Sequence, residues 1–182
     1  MVIARQRGPE DRETGRDAAA SVGAAEKTIL LASEGRPISL DAVAKAAQLA
    51  SEDGAKVHVL SVARIWGTAF GLQHPGLFPS QRELQIQRDI VGNAVDALEQ
   101  RHVDATGEVV RSRNAAKAIA AKAQQRTCLA IVMTADLAPS WFMRGLLWSH
   151  EPYRVRRLAK LPVYLVVDDV AKSAHEMNQF PR

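Results

Sequence analysis

Thr28-Ile29-Leu30-Leu31-Ala32-Ser33 is an unbroken, mainly apolar run, closed off by Gly35 and Pro37. A short run without alternating polar positions is the pattern of a strand buried on both faces, as in a parallel sheet, whereas a half-solvated strand alternates. Immediately downstream the period changes. Ser39 is a good N-cap, and Leu40, Val43, Ala44, Ala47 and Ala50 return at three- and four-residue intervals until Gly54 stops the pattern, which predicts a helix. Lys56-Val57-His58-Val59-Leu60-Ser61-Val62 then reads as a second strand. Strand, helix, strand in this spacing is a parallel crossover unit.

The unit repeats along the chain. Ala63 to Pro79 holds Gly67, Gly71, Gly76, Pro75 and Pro79 and reads as a long loop, a kind of segment that is often functional. Ser80 caps a second helix whose apolar face is Leu84, Ile86, Ile90, Val91, Ala94, Val95 and Leu98, ending near His102. A third strand at 107–110, a third helix at 115–124, a fourth strand at 128–133, a last helix at 152–159 and a fifth strand at 162–167 complete the series. The result is a doubly wound α/β domain with a five-stranded parallel sheet and helices on both faces. Such sheets bind ligands outside the carboxyl ends of their strands, where the strand order reverses.

The 182 residues, 47% hydrophobic and 24% charged, fit one globular domain and no fibre or disordered chain. The expected boundaries are a tail over 1–26, one domain over 27–167 and a second tail over 168–182, because both ends lack large apolar residues in any period. No run approaches the roughly 18 apolar residues of a membrane span. With no secretory-type leader at the start and a single cysteine, Cys128, the reading is a cytoplasmic protein. The net charge of +4 is local: between Ser140 and Lys160, Arg144, Arg154, Arg156, Arg157 and Lys160 stand against Glu151 alone.

Several of these stretches resemble one family. Ile29-Leu30-Leu31-Ala32-Ser33-Glu34-Gly35 followed by Ser39 and an Ala-rich helix is similar to the opening of the universal stress protein domain. Gly54 to Val62, Ile119 to Met133, and Arg154-Val155-Arg156-Arg157-Leu158-Ala159 with Pro162 to Val167 are similar to later elements of that domain, so the resemblance covers about 27–167. It implies strand order 3-2-1-4-5, stress physiology without catalysis, and homodimers joined through the last strand.

The resemblance also implies a nucleotide site, to be judged position by position. Ala32 and Glu34 fall at the end of the first strand, where the family places an Asp. Val62 falls where the backbone near the end of the second strand is used. The family's phosphate loop, a Gly, two residues, a Gly, nine residues, then Gly followed by Ser or Thr, begins after the fourth strand. Here its glycines fall on Thr134, Leu137 and Ser149, the last followed by His150, and the stretch between is two residues longer. Glycines let a backbone approach phosphate oxygens closely and turn successive N–H groups toward them. Thr134 and Ser149 retain hydroxyl donors, but Asp136 adds a carboxylate that repels an anion.

Other constellations carry less. Ser149 and His150 are adjacent and do not face each other, and no carboxylate is placed to orient the imidazole, so no hydrolase site is read there. His58 reads as a packed strand histidine, while His74, His102 and His175 lack the spacing of metal ligands. Trp141, Phe142, Met143, Leu146, Leu147 and Trp148 form an apolar stretch with two readings, a lid packed on the sheet or a patch that binds a protein partner or touches a membrane. No helix-turn-helix spacing or aromatic stacking platform accompanies the basic residues, so nucleic acid is not the expected partner.

The expectation is a non-catalytic stress-response protein that requires no cofactor and binds ATP weakly or not at all. The alternative is a regulator that binds ATP or AMP. Val163, Leu165 and Val167 alternate with Tyr164 and Val166 on a closing strand, and an apolar sheet edge of this kind favours pairing in a homodimer.

Overall fold

The computed structural model of the protein describes residues 26–65, 78–135 and 151–167. Five strands and four helices alternate: β1 (Thr28–Ser33), α1 (Leu40–Asp53), β2 (Lys56–Arg64), α2 (Gln81–Glu99), β3 (Ala105–Ser112), α3 (Ala115–Gln125), β4 (Ala130–Ala135), α4 (Glu151–Leu158) and β5 (Val163–Val167). The sheet order is β3-β2-β1-β4-β5, and every pairing is parallel. The parallel alternation is the one expected from the changes of period, and the strand order is the one that the resemblance implies. The expected tails, apart from Glu26, the Trp141–Trp148 stretch, Asp136, Leu137, Ser149 and His150 lie outside the described residues.

The sheet buries both faces. Ile29, Leu31, Val57, Val59 and Val132 pack against Val43, Ala46, Val91 and Leu98 of α1 and α2. Leu30, Leu60, Ile131 and Met133 pack against Ala116, Ile119 and Val155 of α3 and α4. Each of the valines, leucines, isoleucines and Met133 among them contributes about 1.5–3 kcal/mol on leaving water, far more than the few tenths by which most residues differ in strand or helix preference. Burial therefore decides the ends of the elements where propensity is weak.

Three readings of the sequence are corrected on that basis. β3 runs over eight residues, wider than 107–110, because it pairs with β2 from Val57↔Ala105 to Arg64↔Ser112; an edge strand needs no burial of Thr106, Glu108 or Arg111 to stay paired. β4 begins at Ala130, since the Cys128 N–H still donates to the Ala123 carbonyl of α3 at 2.9 Å and Thr127 reverses the chain at φ 50°. The buried face of α1 is Ala42, Val43, Ala46, Ala47, Leu49 and Ala50, with Leu40 69% exposed at the first helical position. Small alanines allow α1 to lie close to the sheet, and with only Val43 and Leu49 as larger residues on it the face is weakly marked in the sequence.

Both long helices start as the sequence indicates. The Ser39 hydroxyl accepts from the Ala42 N–H, and α1 ends at Gly54 in the left-handed region. At α2 the Ser80 hydroxyl accepts from the Glu83 N–H at 3.2 Å while the Glu83 carboxylate accepts from the Ser80 N–H at 2.6 Å. This reciprocal capping box is worth about 1 kcal/mol for the hydroxyl alone. It also fixes the entry of α2 beside the ends of β1 and β2.

Candidate functional site

Where β1 ends, Ser33-Glu34-Gly35-Arg36 turns sharply. The Gly35 N–H donates to the Ser33 hydroxyl at 3.1 Å, and that hydroxyl donates to the Arg36 carbonyl. Gly35 has φ 107°, and a Cβ there would stand 3.2 Å from the Val62 carbonyl oxygen, so a side chain at this position would be strained on both counts. The turn brings the β1 end against the β2 end.

Gln87 of α2 ties the two strand ends together. Its amide nitrogen donates to the Gly35 carbonyl at 3.1 Å and its amide oxygen accepts from the Ser61 hydroxyl at 2.5 Å. The side chains and backbone of Glu34, Gly35, Arg36, Val62, Ala63 and Arg64, with Pro79, Glu83 and Gln87, enclose a cleft of about 360 Å³. It lies where doubly wound sheets take ligands, outside the carboxyl ends of the strands.

The charges in the cleft are organised. The Glu34 carboxylate is 4% exposed and accepts from Arg36 Nε at 2.6 Å, while the Arg36 guanidinium is 33% exposed. Arg36 Nη2 also reaches the Thr134 carbonyl at 3.5 Å, crossing from the end of β1 to the end of β4. The Thr134 hydroxyl accepts from the Ser39 N–H at 3.1 Å and donates to the Ser39 hydroxyl at 3.3 Å, so the end of β4 is fastened to the cap of α1. Arg64 leans to the other face, with Nη2 3.6 Å from Glu151. Glu151 also accepts from Arg154 at 2.8 Å and from the Ala116 N–H at 3.1 Å.

Of the residues singled out in the sequence, Glu34 and Val62 line the cleft. Thr134 adjoins it through its carbonyl contact with Arg36. Ala32 is 1% exposed, belongs to the core under α3 and does not line the cavity. Ser149 and His150 lie outside the described residues.

Arg36, Arg64, Glu83 and Gln87 were not singled out from the sequence. Gln87 left a signal: Leu84, Gln87, Val91, Ala94 and Leu98 are the buried residues of α2, spaced 3, 4, 3 and 4, and a polar residue on that stripe marks a buried hydrogen-bonding role. Ile86, expected on the apolar face, is 47% exposed instead. Arg36 left a weaker one, an opposite charge two residues beyond Glu34 across a glycine.

A second polar cluster lies under α3. His58 is 2% exposed, with Nδ1 2.9 Å from the Thr106 hydroxyl and Nε2 3.3 Å from Glu108. Lys122 Nζ is 2.7 Å from the same Glu108 oxygen. Burial pushes the His58 pKa down, opposed by the hydrogen bond to Glu108 and reinforced by the positive charges of Arg126 and Lys122. Burial acts to raise the Glu108 pKa, but Lys122 and His58 outweigh it and hold the carboxyl below its ordinary range. This is the packed strand histidine that the sequence indicates. Among the described residues no group of three or more His, Cys, Asp or Glu is placed to hold a metal, and no helix is long and apolar enough to cross a membrane.

A parallel five-stranded sheet in the order 3-2-1-4-5, with a polar cleft over the ends of its first two strands, defines an α/β domain of the doubly wound class. The chain belongs to the Universal stress protein family, whose profile matches residues 26–166. Solved structures agree in fold. A universal stress protein from Archaeoglobus fulgidus superposes with a TM-score of 0.60 at 17% identity, covering 76% of this chain and 97% of that one. The structure of the universal stress protein from Archaeoglobus fulgidus in complex with dAMP gives 0.58 at 16% identity, covering 78% and 98%. A universal stress protein in complex with cAMP gives 0.57 at 20% identity, covering 79% and 98%. No curated protein gives a significant sequence match.

Proposed function

We propose that this chain is a non-catalytic universal stress protein that acts as a dimer in the cytoplasm and holds ATP weakly. One observation carries the reading: the strand-end acid of the cleft, Glu34, is buried and already engaged by Arg36 at 2.6 Å. A carboxylate that already accepts from a guanidinium has less capacity to accept from a sugar hydroxyl. The sequence after β4 supports the same conclusion, since Thr134, Leu137 and Ser149 stand where the family has glycines, Asp136 adds negative charge and the stretch is two residues longer. Three such losses at about 1–3 kcal/mol each take a micromolar ligand into the millimolar range.

A second reading is an adenine-nucleotide-binding regulator in which Glu34, Val62 and Thr134 contact the ligand together with Ser149 and His150. The cleft of about 360 Å³ favours it, being within the roughly 300–1,000 Å³ of small-molecule sites, as do the dAMP and cAMP complexes of two structural relatives. Calorimetric titration with ATP separates the two. The expected dissociation constant is above about 100 μM, and one below about 10 μM would promote the regulator.

The dimer rests on β5, an edge strand paired only with β4 among the described strands. Val163 and Leu165 pack toward the α3 and α4 core and Val166 toward the α1 and α2 core, while Tyr164 is 38% exposed with Lys45 over its ring at 5.3 Å. Light scattering at micromolar concentration is expected to give twice the chain mass, and Leu165→Lys to give the monomer. A monomeric wild type would remove the dimer from the reading and leave the ligand question untouched.

A further inference from the structure

Thr106 of β3 is an exposed residue whose hydroxyl lies 2.9 Å from Nδ1 of His58. β3 is an edge strand, paired only with β2 among the described strands, so Thr106 stands at the rim of the sheet. The imidazole behind it is 2% exposed, and its other nitrogen, Nε2, faces Glu108 Oε1 at 3.3 Å. Buried Nε2 has no other hydrogen-bond partner among the described residues. A carboxylate opposite Nε2 selects the tautomer that carries its proton there, because a lone pair on Nε2 would face the lone pairs of the carboxylate. Nδ1 is then left with its lone pair toward the Thr106 hydroxyl, which donates to it.

Hydroxyl, imidazole and carboxylate in series are the arrangement that activates a weak oxygen nucleophile. The base takes the proton as the oxygen attacks, and the acid holds the base in the productive tautomer and steadies the imidazolium. Lys122 Nζ, 2.7 Å from the same Glu108 oxygen, fixes the carboxylate from α3. Burial, joined by the positive charges of Arg126 and Lys122, disfavours the imidazolium, so the lone pair on Nδ1 is available in neutral solution. A donor for the developing oxyanion is close along the chain. The Val57 and Ile65 N–H groups donate to the Asp104 and Ser112 carbonyls, so the even-numbered residues of β3 turn their backbone groups to β2. Gly107, next after Thr106, turns its N–H to the open edge.

We propose that Thr106 is an acyl-acceptor site, its hydroxyl taking the acyl group of an activated ester or thioester with His58 as general base and Glu108 as positioning residue. A bond forms between Thr106 Oγ1 and the acyl carbon as the hydroxyl proton passes to His58 Nδ1. The bond from that carbon to the donor's oxygen or sulfur breaks, the leaving group departs with the electron pair, and the imidazolium returns its proton to the leaving group or to water. The product is an ester on the outer edge of β3. Nothing in the step draws on the cleft at the ends of β1 and β2, so it stands apart from the nucleotide question.

The probe is p-nitrophenyl acetate, with the acetylated residues located by peptide mass spectrometry after an acid quench. Thr106 is expected to take up acetyl about a hundredfold faster than Ser51, an exposed hydroxyl on α1, which is within the range that general-base catalysis supplies. His58→Gln should lose that advantage and Glu108→Gln about tenfold of it, each variant being shown folded by circular dichroism and thermal unfolding. In the wild type the rate should be level above about pH 6.5 and fall below it as His58 takes up a proton, whereas an unassisted hydroxyl keeps accelerating as hydroxide rises. The pH profile needs no variant, so it decides even where a substitution unfolds the chain. Acetylation of Thr106 at the rate of Ser51, acetyl on His58 or Lys122 with none on Thr106, or a rate that keeps climbing in alkali overturns the proposal. So does a folded His58→Gln variant that keeps the wild-type rate, and a folded Glu108→Gln variant that keeps it overturns the positioning role of Glu108.

Discussion

The two faces of the sheet solve the same burial problem with different polar chemistry. Under α2 the buried polar groups are neutral: Gln87 joins Ser61 to the Gly35 carbonyl. Under α3 they ionise: buried His58 meets the partly exposed Glu108, which Lys122 also contacts, all within 3.3 Å and beside Thr106. An amide and a hydroxyl keep their hydrogen bonds at any ordinary pH. An imidazole and a carboxylate do not, so the Gln87 contact under α2 and the His58 contact under α3 should part company as the solution is acidified.

The strongest way to break the comparison is to show that the faces are not cored alike. Leu31 on the α1 and α2 face and Leu60 on the α3 face are both fully buried. Leu31→Ala and Leu60→Ala are each expected to cost about 2–5 kcal/mol, read from urea midpoints at pH 7.5. A loss under about 1 kcal/mol for either would mean that its face is not the tightly packed core described above.

A smaller effect comes from close approach on the α2 face. A Cβ on Gly107 would stand 2.2 Å from Val91 Cγ1 and 3.2 Å from Val95 Cγ2, so α2 lies on β3 at a distance that only glycine permits. Gly107→Val should lower stability by about 1–3 kcal/mol through overpacking, and a midpoint equal to that of the wild type would show that α2 shifts without cost.

The smallest effect sharpens the contrast of chemistry. The folded-state pKa of His58 is lowered from 6.5, so below that pH the unfolded chain takes up a proton that the folded chain refuses. Stability is then fully present above about pH 6.5 and falls as the pH drops toward the folded pKa, by at most about 1.4 kcal/mol per pH unit for one proton. Glu108, lowered from 4.5, acts in the same direction in a lower window, where the unfolded carboxylate protonates first. Urea midpoints at pH 7.5, 6.0 and 5.0 should fall for the wild type and fall less for His58→Gln. Equal slopes would show that His58 takes its proton as readily folded as unfolded.

The fold was legible because its information is local and redundant. The run at 28–33, the Ser39 and Ser80 caps and the closing run at 163–167 each announce an element, and parallel crossovers leave few ways to join them. What could not be read depends on partners distant in sequence. Glu108 and Arg111 lie in β3 because β2 pairs with them along eight positions, and nothing near them says so. Glu34 was visible as a strand-end acid, but its partner Arg36 has meaning only once Gly35 folds the chain back and Thr134, 98 residues on, supplies the other side of the crevice. Ile86 and Gln87 exchanged places because hydrophobicity alone favoured the isoleucine, while the strand ends needed an amide.

Cys128 is the chain's one thiol, and it sits buried at the corner where α3 gives way to β4, its N–H still bonded to the helix at Ala123. Burial pushes its pKa up, against the pull of Arg126, so the closed corner presents a protonated, shielded sulfur that a disulfide reagent does not attack. Modification must wait until the corner opens. The rate at which such a reagent consumes the thiol is therefore the intrinsic rate multiplied by the fraction of time the α3–β4 corner stands open. The unmodified protein carries its own clock for local breathing on the ionisable face, with no label to introduce and no second thiol to confuse the reading.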